Sequence, residues 1–264
     1  MTDEEILSHA RACRQSAVEM AYRCGTNAHL GGGLSLIDIM CVLYGDIMKA
    51  SDKFVLSKGH GVLGLYAALA EFGRMPKALL QTFQQDGSAL IAHPVMNDAL
   101  GIESSTGSLG QGISFAVGLA LAAKKKNFGY KTYVLCGNGE SNEGSVWEAA
   151  MSAVHFQLDQ FTLIIDNNHL QSDGPSQEIM NVSDRYVSML EAVGFDATEV
   201  DGHDITALRK VLGKKRQSGR PCAVVANTIK GKGISFMENN NDWHHNRLTE
   251  SQYESAMEEL EAMD

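Results

Sequence analysis

A glycine-rich turn, Gly137-Asn138-Gly139-Glu140, follows one apolar run of this chain, and Asp166-Asn167-Asn168 closes the next. Such a turn at a strand end leaves backbone N–H groups free to hold phosphate, and Asn side-chain oxygens are ligands for a hard divalent cation. Together they predict a magnesium-diphosphate site. Neither a Gly-x-Gly-x-x-Gly fingerprint nor a loop ending in Lys-Ser/Thr stands here, which argues against a dinucleotide site or a P-loop. Asn138 keeps a second reading: Asx residues favour turns through local hydrogen bonds, with no metal involved.

The elements that must carry these residues follow from periodicity. Apolar positions recur at helical spacing over residues 3–24 and from Leu36 to Met48, with a polar, glycine-rich loop expected over 25–35. Phe54-Val-Leu reads as a short strand ending at Ser57-Lys-Gly-His60, followed by a helix from Gly61 to Phe72. Residues 73–109 are turn-rich, and Gly110 to Lys126 form an Ala- and Gly-containing helix. Strands are then expected at Lys131–Cys136, Phe161–Ile165, Phe195–Val200 and Ala223–Thr228, with helices near 143–157, 183–193 and 204–216 between them. This alternation predicts an α/β fold, a parallel sheet with helices on both faces, whose ligands bind beyond the carboxyl ends of the strands. A last helix, about 249–262, is acidic and expected to face solvent.

Composition bounds the rest. With 264 residues, 44% of them hydrophobic, the chain can bury the core of one α/β domain. Its 22 basic and 32 acidic residues give a net charge of −10, which argues against a nucleic-acid or anionic-membrane surface. The five scattered cysteines read as free thiols suited to a reducing compartment. No basic-then-apolar leader opens the sequence and no apolar run reaches the roughly 20 residues of a membrane span, so a cytoplasmic protein is expected.

Cys136-Gly-Asn-Gly-Glu-Ser-Asn-Glu-Gly-Ser-Val-Trp-Glu-Ala-Ala150 followed by Ile165-Asp-Asn-Asn-His-Leu-Gln-Ser-Asp-Gly174 resembles the thiamine-diphosphate fingerprint of transketolases. So do Asn27-Ala-His29 with its following glycines, Phe54-Val-Leu-Ser-Lys-Gly-His60, His93-Pro94, Thr106-Gly-Ser-Leu-Gly-Gln-Gly112 and Lys230-Gly-Lys-Gly233 with Trp243-His244, in the family's usual order from about residue 10 to 250.

The resemblance implies roles. Asn168, through its side chain, and Leu170, through its carbonyl, would ligate magnesium, with Asn138 as third protein ligand where the family usually has Asp. A neutral ligand there implies weaker cation binding, with calcium or manganese as alternatives. Gly139 and Glu140 would hold the diphosphate with His60, His244, Asn168 and Lys230, while Gly107, Ser108 and Leu109 would line the cofactor. His29, His93 and His244 would handle the protons of a ketose, as neutral imidazoles can. Ser172 stands where an aliphatic residue is common and His245 where glycine is usual, implying a more polar pocket and an altered substrate channel. The resemblance gives His155, His169 and His203 no role, and His9 sits in a predicted helix.

Residues 1–264 match only the diphosphate-binding domain of a transketolase, so the pyrimidine-binding and C-terminal domains are expected on a partner chain. The implied activity is transfer of a two-carbon ketol unit from a ketose or its phosphate to an aldose, in an α2β2 heterotetramer and only with that partner. Two other readings stay open at this level: the thiamine-dependent subunit of a 2-oxo-acid dehydrogenase or carboligase, and a metal-deficient, non-catalytic subunit.

Overall fold

One sheet separates two hydrophobic cores. The computed structural model describes residues 1–215 and 217–263. Its strands are β1 (Lys53–Leu56), β2 (Thr132–Gly137), β3 (Phe161–Asn167), β4 (Asp196–Asp201) and β5 (Cys222–Asn227), paired in the order β1-β2-β3-β5-β4. Every pairing is parallel. Because side chains alternate along a strand, Phe54, Leu56, Tyr133, Leu135, Ile164, Val224 and Ala226 enter one core, and Val55, Val134, Cys136, Leu163, Ile165, Ala223 and Val225 the other.

In chain order the helices are α1 (Asp3–Arg23), α2 (Leu30–Leu34), α3 (Ile37–Val42), α4 (Val62–Glu71), α5 (Gln111–Lys126), α6 (Gly144–His155), α7 (Ser176–Ile179), α8 (Tyr186–Val193), α9 (Ile205–Leu212) and α10 (Glu250–Glu261). Helices α1 to α4, α9 and α10 supply the first core, and α5, α6 and α8 the second, so both faces are covered as the alternation predicts. Thr2 starts α1 with a reciprocal cap, its hydroxyl accepting from Glu5 N while the Glu5 carboxylate accepts from Thr2 N.

Three expectations change. Leu30–Leu34, expected within a loop, is helical and buried despite three glycines. A Cβ on Gly31 would stand 2.8 Å from the Trp243 carbonyl, so close packing of backbone on backbone selects glycine over better helix formers. The helix expected from Leu36 to Met48 is α3 followed by a wider π turn over Leu43–Ile47. The stretch Leu30–Ile47 is long and apolar enough to cross a bilayer but lies 78% buried within the molecule. Finally, α10 is not simply solvent-facing: Ala256 and Leu260, one helical turn apart, are buried, and Tyr253 stacks on Tyr22 with ring centroids 4.2 Å apart. The expected end of the helix near 204–216 falls on residue 216, outside the described residues.

Candidate functional site

The turn after β2 is held from several sides. Asn138 N donates to the Asp166 carbonyl, and the Asn138 carbonyl accepts from the Tyr186 hydroxyl at 2.8 Å. Glu140, 2% exposed, accepts from Ser57 Oγ at 2.6 Å and Gly110 N at 2.8 Å through one oxygen, and from Gly137 N at 3.1 Å through the other. Burial pushes this carboxyl above its usual range against the pull of those hydrogen bonds. Glu140 lines the cavity, but its oxygens already pin the turn.

Opposite this turn, the end of β3 brings Asn168 and Leu170 beside Asn138. Asn138 Nδ2 lies 3.2 Å from the Leu170 carbonyl oxygen and 2.7 Å from Ser176 Oγ, and Asn168 Oδ1 accepts from Leu170 N at 3.1 Å. His169, between the two, adopts φ +59°, a left-handed conformation that few residues other than glycine take and that clusters at functional sites. Among the described residues no three His, Cys, Asp or Glu side chains converge as a metal site. A cation here would meet only neutral amide and carbonyl oxygens, the donor set that suits magnesium or calcium. The residues fit such an ion, since the Ser176 hydroxyl can accept from the Asn138 amide nitrogen or donate to its oxygen, leaving either atom free to face Leu170.

Beneath the turn lies a buried ion pair absent from the sequence reading. The Lys58 ammonium, 1% exposed, pairs with Asp166, 0% exposed, and donates to the Gly32 carbonyl at 2.9 Å. Asp166 also accepts from Ser35 at 2.6 Å and from Thr228. Among the described residues Lys230 has no such partner. Its Nζ binds three neutral acceptors, the Gln171 carbonyl at 3.2 Å, Asn241 Oδ1 at 2.8 Å and His244 Nδ1 at 3.0 Å. Burial first, then repulsion from Lys58, lowers its pKa to about 8. An ammonium at this depth, with Asp166 attracting it only from a distance and no carboxylate bonded to it, favours an anionic guest.

The far wall is imidazole. His29 lies with ring centroids 5.5 Å from His60, 5.7 Å from His93 and 5.4 Å from His244. His245 stacks on it at 4.3 Å. Burial, then the neighbouring His245, His244, His93 and Lys230, lowers the His29 pKa to about 3. Burial, then Lys230, lowers that of His244 to about 4. His60 is pushed well below its ordinary value by burial and Lys58, and His93 is lowered by burial and His245. His29, His60, His93 and His244 are thus neutral at physiological pH, able to donate and accept.

All of this surrounds one cavity of about 490 Å³ at the carboxyl ends of β2, β3 and β5. His29, His60, His93, Gly107, Leu109, Asn138, Gly139, Glu140, Asn168, Leu170, Lys230 and His244 line it. Ser108 does not; it borders an adjoining groove with His93 and Pro94. Ser172 lines the cavity, and its carbonyl accepts from Asn241. Residues not singled out from sequence include Lys58, Asn142, Gln171, Ile179 and Met180. Asn142 Oδ1 is buried without a hydrogen-bond partner among the described residues, an acceptor left over for a guest or its water.

Residues 2–262 match the family model for the transketolase, thiamine diphosphate binding domain. The chain belongs to the transketolase family. It is 39% identical to one subunit of the apulose-4-phosphate transketolase of Actinobacillus succinogenes, over 97% of this chain and 96% of that one. It is likewise 39% identical to the 6-deoxy-6-sulfo-D-fructose transketolase subunit SqwG of a Clostridium species, over 99% and 98%. Against human transketolase the identity is 35%, over 95% of this chain but 41% of the longer one. Among solved structures, Campylobacter jejuni transketolase superposes with a TM-score of 0.89 at 31% identity, covering 99% of this chain and 43% of that one. The chain is thus a transketolase-type transferase chain with the thiamine-diphosphate-binding fold.

Proposed function

We propose that this chain is the diphosphate-binding subunit of a two-chain transketolase that moves a two-carbon ketol unit from a ketose to an aldose. The observation that carries the reading is the division of one cavity into an oxygen-rich wall, Asn138, Asn168 and Leu170, and an imidazole wall, His29, His60, His93 and His244. Asn138, Asn168 and Leu170 would hold magnesium, with calcium or manganese as alternatives. Gly139, His60, His244 and Lys230 would hold the diphosphate, and Gly107 and Leu109 the body of the cofactor. When bound, thiamine diphosphate supplies the nucleophilic carbon and the electron sink for the transferred unit. Neutral His29 and His93 orient the sugar hydroxyls and carry protons to and from its oxygens, and the apolar Ile179 and Met180 exclude water at the rim.

Three relatives of similar length are each named as one subunit of a transketolase, which supports a partner chain. In this proposal that chain carries the pyrimidine-binding domain, in an α2β2 assembly within the cytoplasm. Their named substrates, a ketose phosphate and a sulfonated fructose, favour a ketose with a terminal anion. The histidine wall favours polyhydroxylated sugars over the 2-oxo acids of the dehydrogenase reading. Calorimetry with thiamine diphosphate and magnesium, followed by ketol-transfer assays of the two chains singly and mixed, tests this. Binding together with activity in the mixture alone is expected. Absent binding supports a non-catalytic role, and full activity of this chain alone refutes the division of labour.

A further inference from the structure

His203 follows β4 in the sequence Asp201-Gly-His203, and the cavity does not use it. Gly202 packs so tightly that a Cβ there would stand 2.4 Å from Thr228 Cγ2 and 3.0 Å from the Asn227 carbonyl, which brings the histidine against the segment after β5. Its Nε2 accepts from Ile229 N at 2.8 Å, so the ring hydrogen sits on Nδ1, which faces Asp38 Oδ2 at 2.6 Å. Asp38, at the first turn of α3, also takes a two-point bond from Arg14 of α1, at 3.0 and 2.5 Å. Arg14 Nε then donates to the Lys232 carbonyl at 3.2 Å. The group therefore grips residues 229–233 on both sides of Lys230, whose ammonium reaches His244.

We propose that Arg14, Asp38 and His203 form a buried clamp whose role is to position Lys230, and through it His244, in the cavity. These are positioning residues, since none of them lines it. The ion pair alone would explain why α1 and α3 adhere; it would not explain an imidazole holding the Ile229 amide. His203, with one ring nitrogen facing Asp38 and the other accepting from Ile229 N, links both functions.

Two substitutions in the full chain separate these roles. The side chain of His203→Gln reaches as far as Nε2 and keeps an acceptor for Ile229 N, whereas that of His203→Asn reaches only Nδ1 and keeps the donor to Asp38. Hydrogen exchange at the Ile229 amide, which is independent of any guest, should stay slow in the Gln variant and rise about tenfold or more in the Asn variant. Thiamine diphosphate affinity, an arm that rests on the proposed function, should weaken about tenfold in the Asn variant and stay within about twofold in the Gln variant. In a Lys230→Met background the Asn substitution should cost little more, because both act on one element. An Asn variant with wild-type exchange, or fully additive losses with Lys230→Met, overturns the proposal. Should the Asn variant not fold, a Gln variant with fast Ile229 exchange overturns it and one with slow exchange sustains it. Slow Ile229 exchange in the Gln variant and fast exchange in the Asn variant, with no thiamine diphosphate binding even in the wild type, counts against the function and leaves the clamp standing.

Discussion

Asn138 Nδ2 donates to the carbonyl oxygen of Leu170 at 3.2 Å, so two residues expected to ligate one cation already meet at the cavity, and both are neutral. Asn138→Asp places an anion at that point. With magnesium and thiamine diphosphate present, the variant is expected to bind the cation at least about tenfold more tightly, the equivalent of about 1.4 kcal/mol. Without them a buried carboxylate faces a carbonyl with only Ser176 to donate, and the melting temperature should fall by roughly 2–8 °C. Calorimetric titration with magnesium and thermal melts of the apo protein check both signs. Unchanged metal affinity would mean that Asn138 only shapes the turn.

Lys230 provides a test in the alkaline range. Its ammonium has only neutral hydrogen-bond partners and a pKa of about 8, against 10.5 for a free lysine. Diphosphate affinity should therefore fall as pH rises from 7 to 9, as the cation is lost. Stability has the opposite sign: between 8 and 10.5 the unfolded chain holds more protons than the folded one, so this group's contribution to apo stability rises with pH. Lys230→Met should weaken diphosphate binding by about ten- to a hundredfold at pH 7 and flatten both profiles. Titrations of wild type and variant across that range decide it.

Apolar, β-branched runs separated by helical stretches made the parallel sheet legible, because strands buried on both faces, such as Phe54-Val-Leu, read as continuous apolar runs; which residue enters which core came only with the structure. The glycine turn was legible because its composition suits a phosphate, whereas the roles of Asn168 and Leu170 came with the family resemblance, and no spacing rule marks a backbone carbonyl such as that of Leu170. The helix at Leu30–Leu34 was not, since glycine propensity argues against it and only packing on Trp243 and His60 restores it. Lys58 was hidden for a related reason: a lysine reads as solvated until Asp166 is brought to it across the sheet from β3. The buried stripe of α10 was masked by the acidic residues around it.

The imidazole wall makes a prediction in acid. His29 and His244, with pKa values of about 3 and 4, stay neutral where an unfolded histidine near 6.5 is already charged. From about pH 6.5 down to about 4.5 these two groups hold more protons in the unfolded chain than in the folded one, so their contribution to stability declines as pH falls, while the raised Glu140 carboxyl acts in the opposite sense. The Asp38 carboxyl does not complicate this window. Burial would raise it, but Arg14 and His203 outweigh burial and hold it at about 2. His29→Gln removes one of the suppressed protonation sites, so its melting temperature should fall less over the same interval, by roughly 2–4 °C. Parallel slopes for variant and wild type would show that His29 is not held neutral by its surroundings.

His245 stacks on His29 at 4.3 Å with an interplanar angle of 30°, where the resemblance leads one to expect glycine. Its ring therefore covers one face of His29 and fixes the plane of that cavity-lining ring, although His245 itself does not line the cavity. Such a contact is worth about 1 kcal/mol, or roughly fivefold in an equilibrium. His245→Gly should uncover that face and free His29 to move within the cavity wall. With the partner chain present, kcat/KM for longer ketoses should rise roughly three- to tenfold relative to short ones, while affinity for thiamine diphosphate changes by less than about twofold. The stack predicts where the gain falls: a side chain at the mouth alters KM for the sugar, whereas one at the cofactor alters kcat for every sugar alike. Steady-state kinetics over ketoses of increasing length separate the two, and a uniform loss of kcat would move His245 from the substrate approach into the machinery of the cofactor.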